Sequence, residues 1–233
     1  MARLNPNYGS ELHLLRMLGR HRDYFSRKVC EATGVENVEW LDFPSGEKRQ
    51  EGNEYVWDRE WQHLRFLPPT SPARKAWSEV WPQSGSGQNW DAIGRVKTVV
   101  GYEWLLVEAK ANVRELKSQC AAENPDSRAT IERVLDATKS ALGVTSTIDW
   151  TRPYYQFCNR LVVLHVLNAH GAPARLLYVY FCGDVGNQGR ACPESEAGWK
   201  AALAEQEERV GLPAGHVLQG RVHKVFVDVQ CLE

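Results

Sequence analysis

The sequence predicts an α/β fold in which helices pack on a central sheet. Three observations predict it. Apolar residues recur at three- and four-residue steps in several long segments. Asn89–Val99 and Tyr102–Ala109 read as two strands folded about Gly101. Arg175–Cys182 (RLLYVYFC) is an apolar run of strand length, as expected for a strand covered on both faces.

Each element follows in order. Ser10–Val29 reads as one helix, with Glu11, Leu15, Leu18, Arg22, Phe25 and Val29 on one face. Ser10 is its expected N-cap, and Gly34 lies just past the end. A Trp-rich stretch from Val38 to Pro82 holds two strand-like runs, Val38–Phe43 and Trp61–Leu67, around the charged connection Glu47–Glu54. A short helix is expected at Ala73–Trp81, and Ser84–Gly87 is a turn. The hairpin follows, then a short helical stretch at Asn112–Ala122 and a break at Asn124-Pro125. The next helix carries Ile131, Val134, Leu135, Thr138 and Leu142, and Gly143 stops it. Pro153 suits the first turn of a helix running to Ala169. After the apolar strand come a Gly-bearing loop (Gly183–Gly189), a helix at Glu194–Val210 with Trp199, Leu203 and Val210 inward, and a final strand, Val222–Val229.

A chain of 233 residues with 43% apolar side chains can bury a sizeable core. No stretch rich in Pro, Gly or Ser is long enough for a linker. Residues 1–233 therefore read as a single domain with an insertion over about residues 36–88. Twenty-eight basic residues face 29 acidic ones, which argues against coating nucleic acid by bulk charge, because each phosphate contact needs a cation. Met1–Gly19 lacks the apolar core of a signal peptide, and no apolar run approaches the ~20 residues that span a bilayer. The expectation is a cytoplasmic protein with no membrane partner. The six cysteines contain no C-x-x-C pair, and Cys158, Cys182 and Cys231 lie in apolar segments, as in a reducing compartment. Oligomeric state is left open.

The hairpin holds the chemistry. Strand side chains alternate faces, so Glu108 and Lys110 point the same way. A turn centred between residues 99 and 100 places Asp91 opposite Glu108; one centred between 100 and 101 places it opposite Lys110. A turn centred on residue 100 would break the arrangement. Two carboxylates and an ammonium beside the apolar run Trp104-Leu105-Leu106-Val107 cost several kcal/mol unless they pair or bind metal. Hard oxygen ligands with open positions suit Mg²⁺ or Mn²⁺, which can polarise a phosphodiester.

At these residues the sequence resembles the PD-(D/E)XK nuclease superfamily, the restriction-endonuclease-like fold. Its signature is an acid on one strand and E-x-K on the next, here Asp91 and Glu108-Ala109-Lys110. The resemblance implies a mixed central sheet flanked by helices, with the Trp-rich insertion ahead of the catalytic hairpin. It implies a metal held by Asp91, Glu108 and the Ala109 carbonyl, with Lys110 as the catalytic lysine. Trp90 stands where the family has proline. Glu11 resembles the first-helix acid that joins the metal site in some branches. Gln156 resembles a Gln that exonuclease-like branches carry on a later helix, although their downstream Tyr is Arg160 here. The chain also resembles a bacterial family without assigned function that shares the E-A-K-A run. The expected activity is a Mg²⁺- or Mn²⁺-dependent nuclease, with DNA or RNA as partner.

Each signal has a plainer explanation. Asp91, Glu108 and Lys110 at a surface hairpin end would form an ordinary salt bridge. An acid such as Glu11 in a first helical turn is favoured by the macrodipole alone. Gln156 and Asn159, three apart on one helix, would contact substrate or be polar surface. Arg16, Arg20 and Arg27 would face phosphate or solvent. The Gly183–Gly189 loop lacks the Lys-Ser/Thr of a phosphate-binding loop. A non-catalytic module that binds nucleic acid or protein is the rival function. An unrelated α/β protein with a chance motif is the third.

Overall fold

The computed structural model describes residues 9–43, 60–83, 87–184 and 192–230. The chain opens with two helices where one was expected, α1 (Ser10–Arg20) and α2 (Arg22–Thr33). The break falls at His21, whose N–H returns to the Arg16 and Met17 carbonyls at 3.2 Å while its carbonyl accepts from Phe25 at 2.9 Å. Gly19, just ahead, lowers helix propensity by about 1 kcal/mol. Gly9, not Ser10, is the N-cap: its φ of 103° suits a residue without Cβ. The break also resets the buried face. α1 buries His13, Leu14, Met17 and Leu18, leaving Glu11 and Leu15 only half-buried, and Arg22 is exposed.

β1 (Val38–Trp40) is shorter than the run that predicted it. Of Trp61–Leu67 only β2 (Trp61–Gln62) is strand, because His63, at φ 49°, turns the chain. Leu64, Phe66 and Leu67 are buried all the same. α3 (Pro72–Val80), β3 (Asn89–Trp90), β4 (Ala92–Thr98) and β5 (Gly101–Lys110) follow as expected, except that the first hairpin strand is interrupted at Asp91. The expected helix at Asn112–Ala122 shrinks to one 3-10 turn, Val113–Leu116. There the Asn112 and Glu115 side chains accept the N–H groups of Arg114 and Ala111, local bonds that compete with a helix.

α4 (Pro125–Leu142) ends at left-handed Gly143, as predicted. α5 (Tyr155–Ala169) starts two residues after Pro153 rather than on it. The Pro153 carbonyl accepts from Ser118 N–H at 2.6 Å, and Tyr155 N–H donates to the Ser118 carbonyl at 3.2 Å, which holds this segment against a neighbour instead of in the helix. β6 (Ala174–Cys182), α6 (Glu196–Val210) and β7 (Val222–Asp228) complete the order. The charged connection at 47–54, the Ser84–Ser86 part of the turn, most of the Gly183–Gly189 loop and Cys231 lie outside the described residues.

Five strands form one mixed sheet in the order β1-β4-β5-β6-β7, antiparallel up to β5 and parallel from β5 to β7. β2 and β3 pair separately as a ribbon. α1 and α2 cover one face, where Leu14, Met17, Phe25 and Val29 join a core with Val107, Val179 and Val227. The later helices cover the other, where Trp77, Leu161, Leu164 and Trp199 join Leu106 and Leu176. Burying each large apolar side chain contributes about 1.5–3 kcal/mol, which makes these two layers the main support of the fold. β6 is buried on both faces apart from Arg175. The alternation along β5 assigns Leu105, Val107 and Ala109 to the first face and Leu106 to the second, so Glu108 and Lys110 point toward α5. Among the described residues no helix is long and apolar enough to cross a membrane.

Candidate functional site

The hairpin register decides which side chains meet. Thr98 pairs with Gly101 and Ala92 with Val107, so the turn is centred between residues 99 and 100. One step further along, Asp91 stands across from Glu108. The regular ladder gives way there: Asp91 N–H donates to the Val107 carbonyl at 3.2 Å, and its Oδ2 accepts from Ala109 N–H at 2.6 Å.

Glu108 is 2% exposed and holds two cations. Its Oε1 accepts from Lys110 Nζ at 2.6 Å, and its Oε2 accepts from Arg160 Nε at 2.9 Å. Lys110 also donates to Gln156 Oε1 at 2.9 Å. Gln156, Asn159 and Arg160 occupy positions i, i+3 and i+4 of α5 and so share the face that meets the hairpin. Arg160 donates to Asn159 Oδ1 at 2.9 Å and to the Asn89 carbonyl at 2.6 Å, and its guanidinium lies 4.7 Å from the Trp90 ring centre. Arg160 thus ties α5 to the hairpin.

Electrostatics separate the carboxylates. Burial works to raise the Glu108 carboxyl, but the charges of Arg160 and Lys110 outweigh it and hold it below its usual value. Asp91 goes the other way: burial and then the Glu108 charge push it well up, against weaker pulls from Lys110 and the Ala109 N–H. Burial works to lower the Lys110 ammonium, and Glu108 and Asp91 outweigh it, so its affinity for the proton is raised. Lys110 is therefore a cationic donor near neutral pH and not a general base.

Two participants were missed. Glu60, immediately ahead of β2, is 7% exposed. Burial, then the charges of Glu11 and Glu108, raise its carboxyl, while Asn89 donates a side-chain hydrogen bond to it. The Trp-rich stretch therefore brings an acid to the site. Arg160, noted in the sequence only as standing in place of a Tyr, is the second, and its i+4 spacing from Gln156 was the available signal. Glu11 stands in the first turn of α1, where its charge acts on Glu60. Of the basic series, Arg20 and Arg27 are exposed. A cavity of about 710 Å³ opens beside the site, with Glu60, Asp91, Gln156, Asn159 and Arg160 in its wall.

The donor chemistry suits a hard divalent ion, since Asp91, Glu60, Glu108 and the Ala109 carbonyl offer only oxygen. Burial and neighbouring charges disfavour the ionised form of Asp91 and Glu60, and a bound cation would favour it. Glu108 is different, because Lys110 and Arg160 already supply its counter-charge. No compact group of three His, Cys, Asp or Glu side chains suited to an ion occurs among the described residues.

No protein-family model, curated protein or solved structure matches the chain.

Proposed function

We propose that this chain is a Mg²⁺- or Mn²⁺-dependent nuclease with a restriction-endonuclease-like core, hydrolysing phosphodiester bonds in DNA or RNA. One observation carries the reading: Asp91, Glu108 and Lys110 gather on one face at one end of a hairpin, with Lys110 held by Gln156 from α5. Asp91, Glu108 and the Ala109 carbonyl would hold the ion, with Glu60 and Glu11 as further acids. The ion, when bound, polarises the phosphodiester as a Lewis acid. Lys110 keeps its proton and donates to the negative charge that develops on the phosphoryl oxygens. Gln156 orients that ammonium, and Asn159 and Arg160 fix the wall beside it.

The test is cleavage of pooled single-stranded, duplex, nicked and RNA substrates with Mg²⁺ and with Mn²⁺. Wild type should cleave at least one, and chelation or Asp91→Ala should abolish the activity. If wild type cleaves none of them, the nuclease reading fails.

One observation favours a second reading. Both Glu108 oxygens are committed to cations, as in a module that keeps the arrangement for binding nucleic acid or protein without catalysis. That reading predicts nucleic-acid or protein binding without cleavage and no measurable Mn²⁺ affinity. It also predicts that Arg160→Met, which frees the Glu108 Oε2, uncovers Mn²⁺ binding.

A further inference from the structure

Two amides in the cavity wall are turned by the cations behind them. Gln156 Oε1 accepts from Lys110 Nζ at 2.9 Å, and Asn159 Oδ1 accepts from Arg160 Nη1 at 2.9 Å. Lysine and arginine only donate, so each amide must point its oxygen at the cation and its NH₂ group away from it. Both residues line the cavity. Gln156 is half-buried, and its Nε2 keeps solvent access with no hydrogen-bond partner among the described residues. Asn159 Nδ2 also keeps solvent access; one of its N–H groups is directed to the Tyr155 hydroxyl, which leaves the other.

This pair differs from ordinary polar surface. An amide normally offers a donor and an acceptor side by side, as the edge of a base does. Here both acceptors are spent on cations, and only donors reach the cavity. An amide that accepts from a cation is polarised by it, which strengthens its N–H groups as donors. Lys110 and Arg160 share the single carboxylate of Glu108, so positive charge stands behind the donors. Positions i and i+3 of α5 hold the two side chains about 5–6 Å apart at Cβ, a span that one tetrahedral group can bridge. Such a wall fits a ligand that consists of acceptors, and a phosphoryl group gathers several acceptor oxygens on one atom. Glu60, Asp91 and Glu123 in the same wall repel an anion, and a divalent cation beside them would offset that repulsion.

We propose that Gln156 Nε2 and Asn159 Nδ2 form a donor clamp for the non-bridging oxygens of a phosphate beside Lys110. The proposal rests on the nucleic-acid reading above and deepens it. Gln156 touches the substrate as well as orienting Lys110, and Asn159 becomes a substrate-binding residue that Arg160 orients.

The experiment measures binding of thymidine bisphosphate, with a phosphate on each sugar hydroxyl, and of thymidine, by calorimetry in Ca²⁺. Cleavage of the pooled substrates in Mg²⁺ and Mn²⁺ runs alongside. Gln156→Glu and Asn159→Asp keep an oxygen for Lys110 and Arg160 and replace the NH₂ donor with a second oxygen, so the fold and the cation contacts persist. Gln119→Glu adds the same charge to the cavity wall at an exposed position and is the control. Wild type should bind the bisphosphate at least about tenfold more tightly than thymidine. Gln156→Glu and Asn159→Asp should each lower that affinity by about 10–150-fold, the range for a hydrogen bond to a charged group. Gln119→Glu should lower it by less than about threefold, because an exposed charge is screened. If strands are cleaved but the amide variants bind the bisphosphate like wild type, or lose no more than Gln119→Glu, the clamp is wrong and the nuclease reading stands. Phosphate-dependent binding that both amide variants lose, without cleavage by wild type, upholds the clamp and overturns the nuclease reading. Absence of both binding and cleavage overturns the two together.

Discussion

Lys110 donates to Glu108 at 2.6 Å and to Gln156 at 2.9 Å, and its role differs from that of the carboxylates it touches. Under the proposed nuclease reading it would not be needed to hold an ion, and its charge would matter once negative charge develops on phosphoryl oxygens. Lys110→Ala should therefore keep Mn²⁺ binding by calorimetry and lose cleavage by about 10²–10³-fold. Lys110→Arg should not restore full activity, because a planar fork does not replace a compact ammonium. Asp91 carries the opposite burden, a buried carboxylate raised by burial and by Glu108. Asp91→Asn keeps an oxygen for the Ala109 N–H and removes the charge. The metal-free variant should melt at a higher temperature than wild type and bind Mn²⁺ more weakly. A lower melting temperature with unaltered metal affinity would remove Asp91 from the site.

One buried ion pair joins α5 to the hairpin, beside the Lys110–Gln156 hydrogen bond. Arg160 is 4% exposed and Glu108 2%, and Arg160 also holds the Asn89 carbonyl and covers Trp90. Removing one member of a buried pair strands the other charge, at a cost of about 3–5 kcal/mol, whereas replacing both with apolar groups is close to neutral. Lys110 remains on Glu108, which places Arg160→Met toward the lower end of that range. Denaturant unfolding should show Arg160→Met and Glu108→Leu each destabilised and the double variant more stable than the two losses summed. Simple additivity would mean that α5 is held by its apolar face alone. That face is substantial, with Leu161, Val162 and Leu164 all buried, so the variants should still fold.

Across the whole molecule a second charge cluster ties distant elements together. Glu103 on β5 accepts from Arg175 on β6 at 2.5 Å and from Arg221, just ahead of β7, at 3.3 Å, and Arg175 also donates to the Thr33 carbonyl at the end of α2. Burial works to raise the Glu103 carboxyl; Arg175 and then Arg221 outweigh it and leave it below its ordinary value near 4.5. A carboxyl depressed in the folded state stabilises above its unfolded value, and that contribution is lost as pH falls through the folded one. Wild type should exceed Glu103→Gln in stability by a constant margin at neutral pH. The margin should shrink below about pH 5 in a series of unfolding midpoints. A margin independent of pH would assign the effect to packing.

The local pattern of the sequence determined the α/β class, the order of the elements and the face shared by Glu108 and Lys110, because strand alternation and helical spacing are properties of neighbouring residues. It also restricted the hairpin to a few registers, and the two-residue turn at Val99-Val100 selected the one that sets Asp91 across from Glu108. Element boundaries were less legible. The break at His21 and the 3-10 turn after β5 depend on hydrogen bonds that compete with a continuous helix. The site's electrostatics were not legible at all. Arg160 lies 52 residues from Glu108 and 71 from Asn89, and Glu60 comes from a stretch whose tryptophans and short strand-like runs said nothing of an acid at the site. Such partners meet only when the helical layer closes over the sheet. Tertiary structure therefore decided which carboxyl is held ionised by cations, Glu108, and which ones burial and neighbouring charges push up, Asp91 and Glu60.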